Sequence, residues 1–347
     1  MSTRQVDLLN IALMLVSLVL AYLMPFELFL LSYAILGPLH YLTEIAWLHQ
    51  RDYFVQQRRQ AWWLVLPVIV ISVGYFVAAS GGEAPFNRLR VVPVLAAGAL
   101  GAAVAFSFLK SRVAQLALVV ASLGAGAVFS GANNAQLILI MFLPTLIHVW
   151  LFTAAFVAFG ALRNRSVTGY ASLAVFAACT AACFLLDGGL QWSNFMESAD
   201  TREAYGMSAA SFHSSFGEFA GIGSVFAPDP NTPGARALDP NRLFLADWSQ
   251  DIARFIGFAY TYHYLNWFSK TSVIQWHRVP RSWAVSIVLV WLLSLALYAY
   301  DYAMGLNALF VLSYLHVYLE FPLNGRTFAG LGQQLGGLFR GRAAAAS

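Results

Sequence analysis

Apolar positions along this chain come in long blocks rather than in strict alternation or in a one-sided helical stripe. Blocks near the ~20-residue length that crosses a bilayer fall at about 8–24, 25–48, 61–80, 91–109, 113–131, 136–160, 168–187, 251–269, 283–302 and 305–324. The pattern predicts ten helices, of which the second, sixth and tenth carry polar residues inside the apolar run. Most polar stretches between blocks are short. The exception, 188–250, is rich in Gly, Ser, Pro and Asn. The expected fold is an all-α polytopic transmembrane helical bundle. It forms a single integral-membrane domain over 1–347, with one long extracytoplasmic loop at 188–250 and a cytoplasmic C-terminal tail at 325–347.

Composition excludes a soluble globular domain: 59% of the 347 residues are hydrophobic, 10% are charged, and the mean hydropathy is +0.66. Charge then orients the bundle. With the N-terminus in the cytoplasm, 14 of the 20 Lys and Arg fall in inside segments, among them Arg4, Arg51, Arg58, Arg59, Lys110, Arg112, Arg163 and Arg165. Short cytoplasmic loops are expected to carry this excess, so both termini are expected to be cytoplasmic, in a membrane of the bacterial inner-membrane type. The long loop, with Glu197, Asp200, Glu203, Glu218, Asp229, Asp239 and Asp247, then faces the periplasm. Its aromatic and glycine-rich part, Phe212 to Phe226, suits a cap on the bundle or a place on the membrane surface; a loosely ordered connector with short helices is the plainer expectation. The net charge of +4 comes from loop arginines. No Lys/Arg-rich cluster is interleaved with aromatics, so no nucleic-acid partner is implied.

Met1 to Leu23 has the basic start and apolar run of a signal peptide. It lacks a small-x-small cleavage site and is expected to remain as the first helix. Cys179 and Cys183 share a helical face, and buried cysteines of this kind pack as small hydrophobes. The fourth and fifth helices are rich in Ala and Gly (Ala96-Ala-Gly-Ala-Leu-Gly101; Gly124-Ala-Gly126), which lets helix backbones approach closely. They read as scaffold. The tail, with Leu331, Leu335, Leu338 and Phe339, suits a short interfacial helix or a disordered end.

Four histidines, His40, His148, His263 and His316, lie inside four different apolar segments, all running from outside to inside. Counted from the outer end of each segment they fall 15, 12, 12 and 11 residues in. At ~1.5 Å per residue they share a layer within about 6 Å. Ionisable groups in membrane helices usually face the bundle interior and mark function, and converging imidazoles suit iron, copper, zinc or nickel. His40, His148, His263 and His316 are therefore the candidate metal ligands. Glu44 and Glu320 follow His40 and His316 by four residues, one turn deeper on the same face, and Asn266 lies one turn below His263. The two glutamates are the candidate catalytic residues. They could fix the tautomer of a ligating imidazole, ligate a second metal as in di-iron bundles, or relay protons. The first is preferred, because four histidines already satisfy one metal. His49 and His277 belong at the cytoplasmic boundary, and His213 reads as a surface histidine. Tyr260, Tyr262, Tyr264, Tyr298, Tyr300, Tyr314 and Tyr318, with Phe258 and Trp267, make the last three predicted helices aromatic. Such walls suit a long conjugated or isoprenoid ligand, and equally a lipid-facing surface. No His-Glu-x-x-His motif and no P-loop occurs.

The run Gly37-Pro-Leu-His40 with Glu44, and His316 with Glu320, resembles the Brp/Blh family of integral-membrane β-carotene 15,15′-dioxygenases. That resemblance implies one non-haem Fe2+ on four histidines from separate helices, with His148 and His263 as the remaining ligands. It also implies O2-dependent cleavage of a carotenoid to retinal. Tyr41 stands where the family has glycine, Glu44 where it has aspartate, and the chain is longer than the family's usual size, with about ten helices and a large outer loop. The leading expectation is thus an iron-dependent membrane oxygenase whose partners are a lipid-soluble small molecule, O2 and the bilayer, with an oligomer left open. Two other classes stand beside it. One is a haem-binding membrane protein, similar to haem A synthases or serving electron transfer. The other is a non-enzymatic transporter or subunit of a membrane complex.

Overall fold

A computed structural model of the chain describes residues 1–81, 87–132, 136–186, 198–275 and 277–345. Glu197, with the 188–197 part of the expected long loop and the last two residues of the expected tail, lies outside the described residues. The architecture is almost wholly helical. The long helices are α1 (Thr3–Leu23), α2 (Glu27–His49), α3 (Trp62–Ala79), α4 (Arg88–Phe108), α5 (Arg112–Phe129), α6 (Leu137–Asn164), α7 (Val167–Leu185), α8 (Ala199–Phe219), α9 (Asp247–Ser269), α10 (Arg281–Tyr300) and α11 (Tyr302–Ala345). Two short strands, β1 (Phe226–Pro228) and β2 (Arg236–Leu238), pair antiparallel with Ala227 opposite Ala237.

Among the described residues, nine helices are long and apolar enough to cross a membrane. The chain is thus built as a membrane protein. The predicted segment at 251–269 forms α9 but is not one of the nine. Its first turns carry Asp247, Gln250, Asp251 and Arg254, yet every residue from Ile252 to Tyr264 is buried. A helix enclosed on all sides needs no apolar outer face, so hydropathy undervalues it.

Three further differences from expectation concern the polar segments. The 188–250 stretch carries the 21-residue α8 and the β1–β2 hairpin rather than a loose connector. His213, read as a surface residue, is fully buried there: a row of small residues (Gly206, Ala209, Ala210, Gly217) lets α8 pack closely and encloses the ring. The last helix does not stop near 324; α11 runs on as one helix to Ala345.

The chain divides into two compact units. One comprises Met1–His40, Ala174–Gln275 and Ser286–Leu309; the other comprises Tyr41–Leu173, Trp276–Val285 and Phe310–Ser347. In the first, α9 is held by polar ties and close backbone approach. The Tyr262 hydroxyl donates to Asn10 Oδ1 at 3.2 Å, and the Ser32 and Thr261 hydroxyls meet at 2.6 Å. A methyl added at Gly257 would come 3.3 Å from the Pro25 carbonyl oxygen, so glycine sets the spacing there. Arg254, buried in α9, donates to Asp251 Oδ1 at 2.7 Å and lies over the Tyr22 ring. Cys179 and Cys183 are buried and unbridged, with Cys183 Sγ donating to the Cys179 carbonyl.

In the second unit, α4 and α5 meet through their small residues, as their composition predicts. A methyl at Gly126 would come within 2.8 Å of Val94 Cα. Tyr75 stacks on Phe310 at 4.1 Å between ring centroids, and Phe310 contacts Tyr314 at 4.6 Å.

Candidate metal centre

Two of the four histidine-bearing helices are wound more widely than an α-helix next to the histidine. In α2, Ser32–Leu36 is π-helical. Pro38 follows in the next turn and has no N–H to give the Ala34 carbonyl, so the regular bond is lost there. In α6, Leu137–Phe152 is π-helical with Pro144 inside it, and His148 lies four residues on. Wide turns of this kind re-aim the side chains that follow, and they concentrate at functional sites.

His40 and His263 form one pair. Their Nε2 atoms are 3.2 Å apart, and the rings lie at 4.8 Å and 74°. Tyr264 lies 5.2 Å from His40 and 5.5 Å from His263, and Trp267 presents its edge to His40 at 5.6 Å, all between centroids. His148 and His316 form the other pair. Their Nε2 atoms are 3.1 Å apart, with the rings at 4.8 Å and 79°. The Tyr41 ring stacks on His316 at 4.2 Å and 24°. All four histidines are buried, and one ligand atom from each falls in a group whose members lie within 4.8 Å of one another.

In the second pair the far nitrogens have polar neighbours. His148 Nδ1 lies 3.1 Å from Glu320 Oε2, and His316 Nδ1 lies 3.4 Å from the Leu312 carbonyl oxygen. Two bare Nε2 lone pairs 3.1 Å apart repel, so either a proton or a cation lies between the His148 and His316 rings. The donor set fits a metal by this test. Metal–nitrogen bonds of ~2.1 Å place neighbouring ligand nitrogens about 3.0 Å apart at a right angle and about 3.4 Å apart in a tetrahedron, which brackets both pairs.

Glu320 and Glu44 complete the acidic side of the second pair. The Asn324 amide donates to Glu320 Oε2 at 3.1 Å, and the Glu44 carboxyl lies in electrostatic range of Glu320. Spacing placed Glu320 under His316; the structure places it against His148, on a different helix. Asn324 follows Glu320 by one turn, and the same four-residue spacing that picked out the glutamates would have found it. Asn266 belongs to another cluster, where Tyr262 links it to Asn10. His49 bonds the Tyr53 hydroxyl at 2.8 Å, and His277 is exposed.

His213 shows what a histidine bonded within the protein looks like in the same chain. Its Nε2 is 2.8 Å from the Tyr205 hydroxyl and its Nδ1 is 2.7 Å from Ser249 Oγ, which donates on to the Leu243 carbonyl. Burial pushes this imidazole down to about 3, so it stays neutral, with both nitrogens bonded to hydroxyls.

No protein-family model matches the chain, and no curated protein or solved structure matches it.

Proposed function

We propose that this chain is a membrane-embedded metalloprotein in which His40, His148, His263 and His316 hold one divalent transition metal, non-haem Fe2+. Its activity on this reading is that of an oxygenase, in the dioxygenase class, acting on a lipid-soluble substrate. The observation that carries the proposal is the gathering of four buried imidazole nitrogens within 4.8 Å. Iron held by these four neutral nitrogens would supply O2 activation. The chain's own residues hold and orient. Glu320 would fix the His148 tautomer and raise its basicity. Glu44 and Glu320 together would hold a proton beside the site. Tyr41, Tyr264 and Trp267 would keep the imidazole planes in place and exclude water.

A site among membrane-spanning helices favours a substrate that stays in the lipid. Carotenoid cleavage is the first substrate class to test, on the strength of the Brp/Blh resemblance around His40 and His316. A porphyrin fits the site less well. With Nε2 atoms 3.1 and 3.2 Å apart in each pair, a second imidazole occupies the space the macrocycle would need beside an axial nitrogen. On this reading the bundle is one integral-membrane domain in an inner-membrane setting, with cytoplasmic termini and the α8 region outside.

Elemental analysis with an absorption spectrum on detergent-purified protein tests the metal. One iron per chain without an intense Soret band is the expected result. No bound metal, or a Soret band, would overturn it. Pigment loss in carotenoid-accumulating cells tests the substrate: bleaching is expected, and unchanged pigment removes carotenoids from the proposal.

A further inference from the structure

Away from the histidines, the ends of three membrane-length helices enclose a cleft of about 370 Å³. It lies where α3 and α5 begin and α4 ends, the level at which all three would leave a bilayer. Its rim is cationic. Arg59 comes from the turn leading into α3, Lys110 from the α4–α5 connection, and Arg112 from the first turn of α5. Its wall is apolar, with Trp63 and Leu116 47% and 59% exposed on the outer surface of the helices.

No acidic residue lines the cleft. Among the described residues, none of the three cations takes part in an ion pair. The backbone beneath them is fixed. Gln56 and Gln115 both donate their side-chain amides to the Leu109 carbonyl at 2.7 Å, and the Gln56 N–H donates to the Phe106 carbonyl at 3.2 Å. Those amide donors are committed to the protein, whereas the guanidinium and ammonium groups of the rim keep donors for a ligand.

Three like charges gathered without a counter-charge repel one another, and an anion between them removes that cost. The cleft's size falls in the lower part of the ~300–1,000 Å³ range of small-molecule sites. Its chemistry is divided: phosphate-binding donors at the level of lipid headgroups, and an apolar wall with an interfacial tryptophan running toward the hydrocarbon. Basic pockets between helices at the cytoplasmic surface suit anionic lipid headgroups, and a free anion would leave the apolar wall unused. We propose that this cleft is a binding site for an anionic phospholipid. Its phosphate sits among Arg59, Lys110 and Arg112, and an acyl chain lies along Trp63 and Leu116.

The full chain, purified in detergent, tests this by native mass spectrometry and thermal unfolding. Phosphatidylglycerol, phosphatidylcholine and inorganic phosphate are compared at matched concentration. Phosphatidylglycerol is expected to remain bound and to raise the unfolding temperature, and the other two are not. The Arg59→Gln, Lys110→Gln, Arg112→Gln variant is expected to lose that effect, at roughly fivefold in affinity per cation removed. Arg59→Lys with Arg112→Lys is expected to keep it. Should the triple variant fail to fold, Lys110→Gln alone is set against Arg163→Gln with Arg165→Gln, neither of which lines the cleft. The first should weaken retention and the second should not. Equal retention of phosphatidylcholine, or undiminished phosphatidylglycerol binding in the cation variants, overturns the proposal. So does inorganic phosphate reproducing the whole shift, which would reassign the cleft to a soluble anion.

Discussion

The His40–His263 and His148–His316 pairs share one internal geometry and differ in what surrounds it. In both, the Nε2 atoms approach to 3.1–3.2 Å and the rings stand 4.8 Å apart near a right angle. Around His40 and His263 stand the rings of Tyr264 and Trp267. Behind His148 stand Glu320, Asn324 and Glu44, with Tyr41 stacked on His316. One pair is aimed by aromatic packing. The other has a carboxylate 3.1 Å from its far nitrogen, placed to make that imidazole a stronger donor to a metal. Equal geometry from unequal means argues that the geometry is what the site requires.

The most forceful way to break this equivalence is to remove one ring from each pair. His148→Ala and His263→Ala should each lower bound metal from one per chain to less than about a tenth, read by elemental analysis, because neither pair alone closes a coordination sphere. If His263→Ala kept its metal, the acidic pair would be the whole site. Next in size, Glu320→Gln should weaken metal affinity by about 10–100-fold, the usual effect of losing the carboxylate behind a ligating imidazole. Trp267→Phe, on the aromatic side, should change it by less than about threefold. Competition with a chelator measures both, and equal losses would erase the distinction between the sides.

His213→Ala sharpens the contrast between the paired rings and a histidine bonded to hydroxyls. It should cost about 1–3 kcal/mol of stability by leaving buried hydroxyls with lost partners, with metal content unchanged. The pH dependence gives a sign. The folded-state value of about 3 lies below the ordinary ~6.5 of the unfolded chain. The unfolded chain therefore binds the proton first on acidification. His213's contribution is full above about pH 6.5 and is lost as pH falls toward 3. The wild type should show that extra acid sensitivity in thermal unfolding, and His213→Ala should not. The smallest effect belongs to Tyr41→Phe, which keeps the ring stacked on His316 and should leave both the unfolding temperature and the metal content unchanged.

Several of these residues could be read ahead of the fold and several could not. The four histidines were legible because each falls inside a long, largely apolar run, and an ionisable group there is costly enough to be informative. Glu44 and Glu320 were legible by helical spacing, but Glu320's partner was not. A four-residue interval fixes a shared face of one helix and says nothing about which neighbour that face meets. Tyr41 read as a mere departure from glycine, since its role depends on His316, 275 positions away in the chain. His213 was misread because local polarity suggests exposure, while burial is decided by what packs over a helix.

Sequence alone determined that this chain builds membrane-length helices and that a histidine lies inside each of four of its long helices. Both follow from local facts: the length of an apolar run and the rise per residue of a helix. Tertiary structure alone decided that the imidazoles meet nitrogen to nitrogen in pairs, that a glutamate on one helix faces a histidine on another, and that His213, in a polar segment, is fully buried. Those outcomes depend on contacts between residues far apart in the chain. Such contacts are set by packing and by the need of every buried polar atom for a partner, and no local pattern encodes them.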